Sequence, residues 1–495
     1  MVKALTVCNP TQIRQTEPPT EIPRLICNGL VLACAIFRKK IHFKSVLWVS
    51  VCPLGFAVYF FKFLKSAILS LALAVSTQAV SESAADLVST IQHPNFQHIY
   101  LITDRDARSF EARLIFQNGE LDNPYAEGLA HYVEHLAWLN VTQSKDFEAL
   151  RHSNAGTNLT STTYVTHSSE TRLNKELQRL VEVSAPFTLA ERFMLEERDI
   201  ILREYEANVA ENPYFEIEQN ITKALYPSSP WARSVLGSPA EIGSFNLSNA
   251  KKLHRKSHEL GNAVLIVTGN ISKTTLQKAL RNLNFPKPAA PIAPSPLPTP
   301  EVGNKRVAAD IQVARLGSPT LFYRKLIKRP PCSDAAFCDQ TVRVLRAALD
   351  SSLPGGIAGP LRFDDFFARS FWFDLRAIGS KHLLIEFTAE PDLNVSLSKL
   401  ETEFAKVFNE IVQQGIPEKT IKQIKKRFQG HLNDVLKRKN YRKNLLIDRV
   451  SNRQPYYGLT AEQRALRSVT AQKINDLLNA LGQSGRTVIY RANEL

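Results

Sequence analysis

Gly128 to Asn140 reads GLAHYVEHLAWLN, and both the fold and the chemistry of the chain turn on His131, Glu134 and His135 within it. Two histidines four apart on a helix lie one turn apart on one face, and the carboxylate between them can touch whatever they hold. Leu129, Val133, Leu136 and Trp138 give the segment an apolar face, and the polar run DNPYAEG before it reads as a loop. A catalytic zinc commonly takes three protein ligands and keeps a fourth position for water. HxxEH on a helix therefore supplies two ligands and a general base, a metallopeptidase signature that still needs its third ligand.

Downstream, NAGTNLTSTTYVTH (Asn154 to His167) is rich in Thr and Tyr and reads as β, and Leu173, Leu177 and Leu180 then repeat at helical spacing. A second helix, LEERDIILREYEANVAEN, places Glu197 and Glu204 seven residues apart, on one face and two turns apart. Isolated glutamates on a helix usually line a solvated face; Ile200 and Ile201 beside them, and the third ligand still missing, shift the reading toward a site.

On these residues the chain resembles the pitrilysin/insulinase family of zinc metallopeptidases, in its two-domain, processing-peptidase-like branch. The resemblance rests on GLAHYVEHLAWL, the NA…TSTTY strand, ERDIILRE, and NAVLIVTGNIS at Asn262 to Ser272, and covers most of the chain after about residue 90. It implies one Zn2+ held by His131, His135 and Glu204, with Glu134 as general base and Glu197 as a glutamate that supports the site without binding metal. It implies substrate contacts at Asn154, Ala155 and Arg362. The implied fold is α+β: two similar domains, each an antiparallel-type sheet packed with helices, forming half of a clamshell chamber. The implied activity is endopeptidase hydrolysis of peptides or unfolded segments, an extended substrate adding as a strand along the Asn154 to Thr166 edge. The alternative is a non-catalytic peptide-binding or scaffolding subunit of the same fold. Members of this size commonly pair, which points to a homodimer or to a heterodimer with a homologous subunit.

The rest of the chain frames that reading. The length is 495 residues, 44% apolar and 22% charged, ordinary globular composition for two to four domains. The net charge is +15, yet there is no RNP motif, zinc-finger spacing or recognition helix, so no nucleic-acid partner is expected. Three apolar runs, Leu25 to Phe37, Val46 to Phe61 and Ala67 to Val75, mark residues 1–82 as a leader. The last follows Lys62 and Lys65 and ends in VSTQAVSESA, like a signal peptide cleaved near Ala79. About sixty residues precede that run, so either the true start is internal or the second run is an anchor; the expected location is exported, periplasmic or membrane-anchored. Four of six cysteines lie in the leader, leaving Cys332 and Cys338 either bridged or as two reduced thiols.

Residues 83–285 read as the zinc-bearing domain, and 286–300, within FPKPAAPIAPSPLPTP, as a semi-rigid Pro-rich linker. Residues 301–495 read as a second, inactive copy. HLLIEFTAE is its strand, Leu393, Leu397, Leu400, Phe404, Val407 and Ile411 its helix, and RTVIYRA its closing strand, the counterpart of NAVLIVTG in the first copy. A helical stretch from Lys419 to Lys443 carries ten Lys or Arg against Asp434 and reads as a solvated face. Where the family usually carries LRxxxGxxY, this chain has LRFDDFFARS, with Arg362 in the Arg place and Arg369 where Tyr is expected; His152 and Ser153 stand where the family often has Gly-Gly.

Overall fold

Period-two runs of apolar residues such as HIYLIT and FEARLIF form strands, and three-to-four periodicity between them forms helices that cover the resulting sheets. The computed structural model describes residues 88–142, 152–436 and 438–495. The expectations for the leader, its cleavage site and its four cysteines lie outside the described residues.

In chain order, β1 (Ser89–Ile91), β2 (His98–Thr103) and β3 (Phe110–Phe116) lead to α1 (Leu129–Thr142), which carries the HxxEH motif. The hairpin β4 (Ser153–Thr157) and β5 (Thr162–Ser168) follows, then α2 (Leu173–Glu182), α3 (Glu191–Glu211), α4 (Phe215–Leu225), α5 (Pro239–Gly243) and α6 (Leu247–Ser257). Strand β6 (Ala263–Gly269) and α7 (Lys273–Arg281) close the first half. The second half runs β7 (Arg306–Val313), β8 (Thr320–Lys328), α8 (Ala335–Leu349), β9 (Ala368–Ile378) and β10 (His382–Pro391). It continues through α9 (Leu397–Gln414), α10 (Glu418–Leu436), α11 (Lys439–Ser451), α12 (Leu459–Ser468), α13 (Ala471–Leu481) and β11 (Arg486–Glu494).

The first sheet is ordered β1-β2-β6-β3-β5-β4 and the second β7-β11-β8-β10-β9. Apart from β1, each sheet places its first strand beside its last, then its second, fourth and third, so the two halves share one topology. The expected antiparallel character is modified in one respect. Each first strand pairs parallel with the last, β2 with β6 and β7 with β11, because the chain crosses the whole half before it returns. Helix α8 occupies in the second half the place α1 holds in the first, and it carries no histidine.

Several boundaries are sharper than the sequence reading. Asn154 to His167 is two strands, since the Asn158 side chain accepts hydrogen bonds from the Thr160 and Ser161 amides and turns the chain. Only β4 is therefore an edge; β5 is paired on both sides. Leu393, expected in a helix, lies before it and is exposed. Asn394 adopts a left-handed φ of 64° and Ser396 caps the helix through the Lys399 amide, so the helix starts at Leu397. The basic stretch from Lys419 to Lys443 falls on two helices, α10 and α11.

The main cores lie between each sheet and its own helices. In the first half α2 and α7 supply Leu173, Leu177, Leu180, Leu276 and Leu280. The other sheet faces are covered by exchange. Ile217, Ile221 and Leu225 of α4 pack on Phe322, Leu326 and Val488 of the second sheet, and Leu446 and Val450 of α11 pack on Ile115, Val264 and Ile266 of the first. Residues 286–300 form neither helix nor strand; they are held where the Ile292 amide donates to the Gly261 carbonyl and Trp231 Nε1 to the Pro298 carbonyl, both at 2.7 Å. Cys332 and Cys338, at the entry of α8, are joined by a disulfide. Among the described residues no helix is long and apolar enough to cross a membrane.

Candidate metal centre

Helix α1 begins where Gly128 turns the chain with φ 85°. A Cβ there would lie 2.7 Å from the Leu236 backbone, so only glycine allows this approach. Glu120, fully buried before the turn, accepts from the Asn123 side chain and Arg233 Nε, both at 2.9 Å, and lies near the amides opening the helix. A carboxylate at a helix N-terminus is favoured by the helix dipole. Leu129, Tyr132, Val133 and Leu136 bury one side of α1 against Met194 and Ile201 of α3. Met194, Glu197, Ile201 and Glu204 follow three-to-four spacing on α3, so the packing that buries Met194 and Ile201 also turns both glutamates toward α1.

The two helices bring together His131, His135 and Glu204. The two Nε2 atoms are 3.2 Å apart, and each is 3.7 Å from Glu204 Oε2. Four donors around zinc at about 2.0–2.1 Å in a tetrahedron lie about 3.3 Å from one another, close to this triangle. His135 Nδ1 meets Glu197 Oε2 at 2.9 Å. With its Nδ1–H donating there, His135 turns the lone pair of Nε2 toward His131 and Glu204. Glu204 Oε2 has no hydrogen-bond partner among the described residues, an expensive state for a buried acceptor that a cation relieves. Two facing imidazoles with an unsatisfied carboxylate fit a zinc ion.

Glu134 lies beside this group and is not part of it. Its Oε2 is 3.8 Å from His131 Nε2 and accepts from Thr157 Oγ1 at 3.3 Å. Burial, opposed by His135 and reinforced by the negative charges of Glu204 and Glu197, pushes its carboxyl up to about 7. Burial pulls His135 down, but the Glu197 hydrogen bond and the charges of Glu134 and Glu204 outweigh it and raise the ring to about 9. His131, held neutral by burial and by His135, is shifted well down, which suits a lone-pair donor. Three carboxylates around two imidazoles in a buried pocket form a strongly cation-seeking environment.

Of the other residues expected at the site, Asn154 and Ala155 lie on β4, Asn154 exposed with its Oδ1 accepting from the Ala155 amide at 2.9 Å. Arg362 lies in a helical segment, Gly359–Asp364, with its guanidinium 5.5 Å from the Phe363 ring centre. Among the described residues no hydrogen bond or ion pair joins it to the histidines or to Glu134. Arg369, on β9, is paired with Glu390 at 2.7 Å and donates to Ser318 Oγ. Thr157 and Tyr164 are additions that sequence reasoning does not find. Tyr164 OH meets His258 Nε2 at 2.7 Å, and Ser257 Oγ meets His258 Nδ1, behind the metal helix. Polar residues on β strands carry no sequence signal of facing a helix, and only the pairing of β4 with β5 and of β5 with β3 brings Thr157 and Tyr164 there.

The sequence pattern of a family described as Insulinase (Peptidase family M16) matches residues 99–238. A Rickettsia bellii protein named an uncharacterized zinc protease is 25% identical over 169 residues, 33% of this chain and 41% of that protein. The matched stretch is thus less than half the length of this relative. A crystal structure of a protease from Helicobacter pylori superposes with a TM-score of 0.67 at 18% identity, covering 82% of this chain and 99% of that one. A peptidase M16 inactive domain from Pseudomonas fluorescens superposes with a TM-score of 0.65 at 17% identity, covering 82% of this chain and 98% of that one.

Proposed function

We propose that this chain, which resembles the insulinase (peptidase M16) family over residues 99–238, is a zinc-dependent endopeptidase whose centre is His131, His135 and Glu204, with Glu134 as general base. One observation carries the reading. The three ligand atoms lie within 4.8 Å of one another, and a buried carboxylate outside the triangle, Glu134, reaches its edge. When bound there, zinc supplies a Lewis acid that acidifies water and polarises a carbonyl.

The chain's own residues do the rest. Glu134 Oε2 takes the proton of the attacking water and returns it to the leaving amine, a transfer suited by a carboxyl raised toward neutrality. Thr157 Oγ1 holds that oxygen in place, and Glu197 fixes the tautomer of His135. Among the described residues β4 is the edge of its sheet, so an extended peptide adds as a strand beside Asn154 and Ala155 with little demand on its sequence. Arg362 contributes a charged contact to substrate, and a second subunit, identical or homologous, completes the chamber. The disulfide supports an exported location, with the leader as signal or anchor.

A second reading, a peptide-binding subunit without catalysis, is favoured by Arg369 in the Tyr place, where it is committed to Glu390, and by the resemblance to a domain described as inactive. Zinc content and cleavage of a quenched peptide library, measured on wild type and His131→Ala, separate the two. About one zinc per chain with cleavage, both lost in the variant, establishes the peptidase. Zinc without cleavage supports the binding subunit.

A further inference from the structure

The edge strand and the base depend on a junction that the first half does not close by itself. Thr157, the last residue of β4, holds Glu134, and the turn after it lies against Gly119–Asp122. The Glu120 amide donates to the Asn158 carbonyl at 3.0 Å and the Leu121 amide to the Leu159 carbonyl at 2.8 Å. A Cβ on Gly119 would lie 2.4 Å from the Asn158 oxygen, so the two segments touch backbone to backbone.

Arg453, just past α11 in the second half, bridges both. Its Nε donates to the Thr160 carbonyl at 2.9 Å, its guanidinium forks onto the Asp122 carboxylate, and Nη1 also reaches the Ser295 carbonyl at 3.2 Å. Asp122 in turn accepts the Gly119 amide at 2.9 Å. Beside this, Thr160 Oγ1 donates to the Ser451 carbonyl at 2.6 Å. The Arg453 side chain is 2% exposed, and its backbone takes a left-handed φ of 53°, unusual for a residue with a Cβ. A buried arginine whose planar fork meets a carboxylate and two carbonyls fixes position more strictly than a lysine could.

We propose that Arg453 is a positioning residue contributed by the second half, clamping the β4–β5 turn so that β4 is held for substrate and Thr157 is held against Glu134. The proposal deepens the peptidase reading and rests on it. It also gives the metal-free half a role in the site. Plain adhesion between the halves is the competing role, and the structure contains a suitable comparison: Lys443 Nζ pairs with Glu111 Oε2 at 2.7 Å. Glu111 lies opposite His167, at the far end of β5 from the turn.

The test compares R453Q, R453K and K443M by hydrogen–deuterium exchange over residues 152–161, by zinc content, and by kcat and KM for an extended quenched peptide. R453Q is expected to speed exchange of β4 and its turn about tenfold while K443M leaves it unchanged. Zinc content stays at the wild-type level, KM rises several-fold more than kcat falls, and R453K recovers part of both effects. Unchanged exchange in R453Q, or an equal rise in K443M, overturns the proposal. If R453Q does not fold, R453K, which keeps the charge and loses the planar fork onto Asp122, takes its place with the same expected pattern at smaller amplitude. A wild-type chain that binds zinc and cleaves nothing defeats the peptidase reading instead, and the exchange data still decide whether Arg453 clamps the turn.

Discussion

Two glutamates at the centre are assigned different work, and a one-atom change separates them. Glu134→Gln keeps the shape of the side chain and removes the proton acceptor, so zinc content is unchanged while kcat falls by about two to four orders of magnitude. Peptide cleavage at the wild-type rate in that variant sinks the base assignment. Glu204→Gln, by contrast, removes a charged donor whose Oε2 lies 3.7 Å from both imidazoles, and the loss appears first in zinc occupancy. Glu197→Gln should weaken zinc by about 10–100-fold, because an amide holds the His135 Nδ1–H less firmly than a carboxylate. Competition with a chelator ranks the three; if Glu204→Gln binds zinc as tightly as Glu134→Gln, the ligand set is wrong.

At the scale of elements, α3 delivers both glutamates, and one apolar residue governs how. Ile201 is fully buried between Glu197 and Glu204 on the stripe that faces α1. Ile201→Ala should cost about 2–5 kcal/mol of stability through the cavity it leaves, and should also lower zinc affinity as α3 shifts off α1. Chemical denaturation with and without zinc checks both parts; a stability loss with unchanged zinc affinity means that α3 is positioned some other way. Helical spacing makes this arrangement legible in the amino-acid order alone, since His131 and His135 share a face four residues apart and Glu197 and Glu204 share one seven apart. Thr157 is not legible in that way, because its contact with Glu134 follows from the pairing of β4 with β5 and from the angle at which α1 crosses them. The break before Leu397 is hidden for a local reason. Leu393 matches the apolar period of the helix, and only the left-handed Asn394 and the Ser396 cap show that the helix has not begun.

At the scale of the molecule, the sequence shows two copies of one pattern and conceals how they interlock. Periodicity marks α4 and α11 as amphipathic, but which sheet each apolar face covers is a property of packing, and each covers the sheet of the other half. Interlocking of this kind makes the stability of the first half a property of the whole chain, and pH exposes it. His254 and His258 are buried side by side, His254 Nε2–H donating to the Val183 carbonyl at 2.8 Å. Burial holds His254 down to about 4 and His258 well below its ordinary value near 6.5. Above 6.5 both are neutral whether folded or unfolded and contribute no pH dependence. As pH falls from 6.5 toward 4 the unfolded chain takes up protons that the folded one refuses, so stability is lost. Glu111 continues the loss at lower pH. Burial raises its carboxyl, but the hydrogen bonds from His167 and from Lys443 of the second half, with the charge of Arg113, hold it down to about 2, so its contribution disappears between 4.5 and 2. Glu120 and Glu134, each pushed up to about 7, tilt the curve the other way between 4.5 and 7. The informative quantity is therefore the difference between wild type and His254→Gln, which keeps a donor for the Val183 carbonyl and cannot be protonated. That difference, from urea denaturation of the metal-free protein, should be constant above pH 6.5 and shrink toward pH 4 as the wild type alone loses the contribution of a neutral, buried His254. A constant difference from pH 8 to pH 4 would mean that His254 is protonated as readily in the folded chain as in the unfolded one.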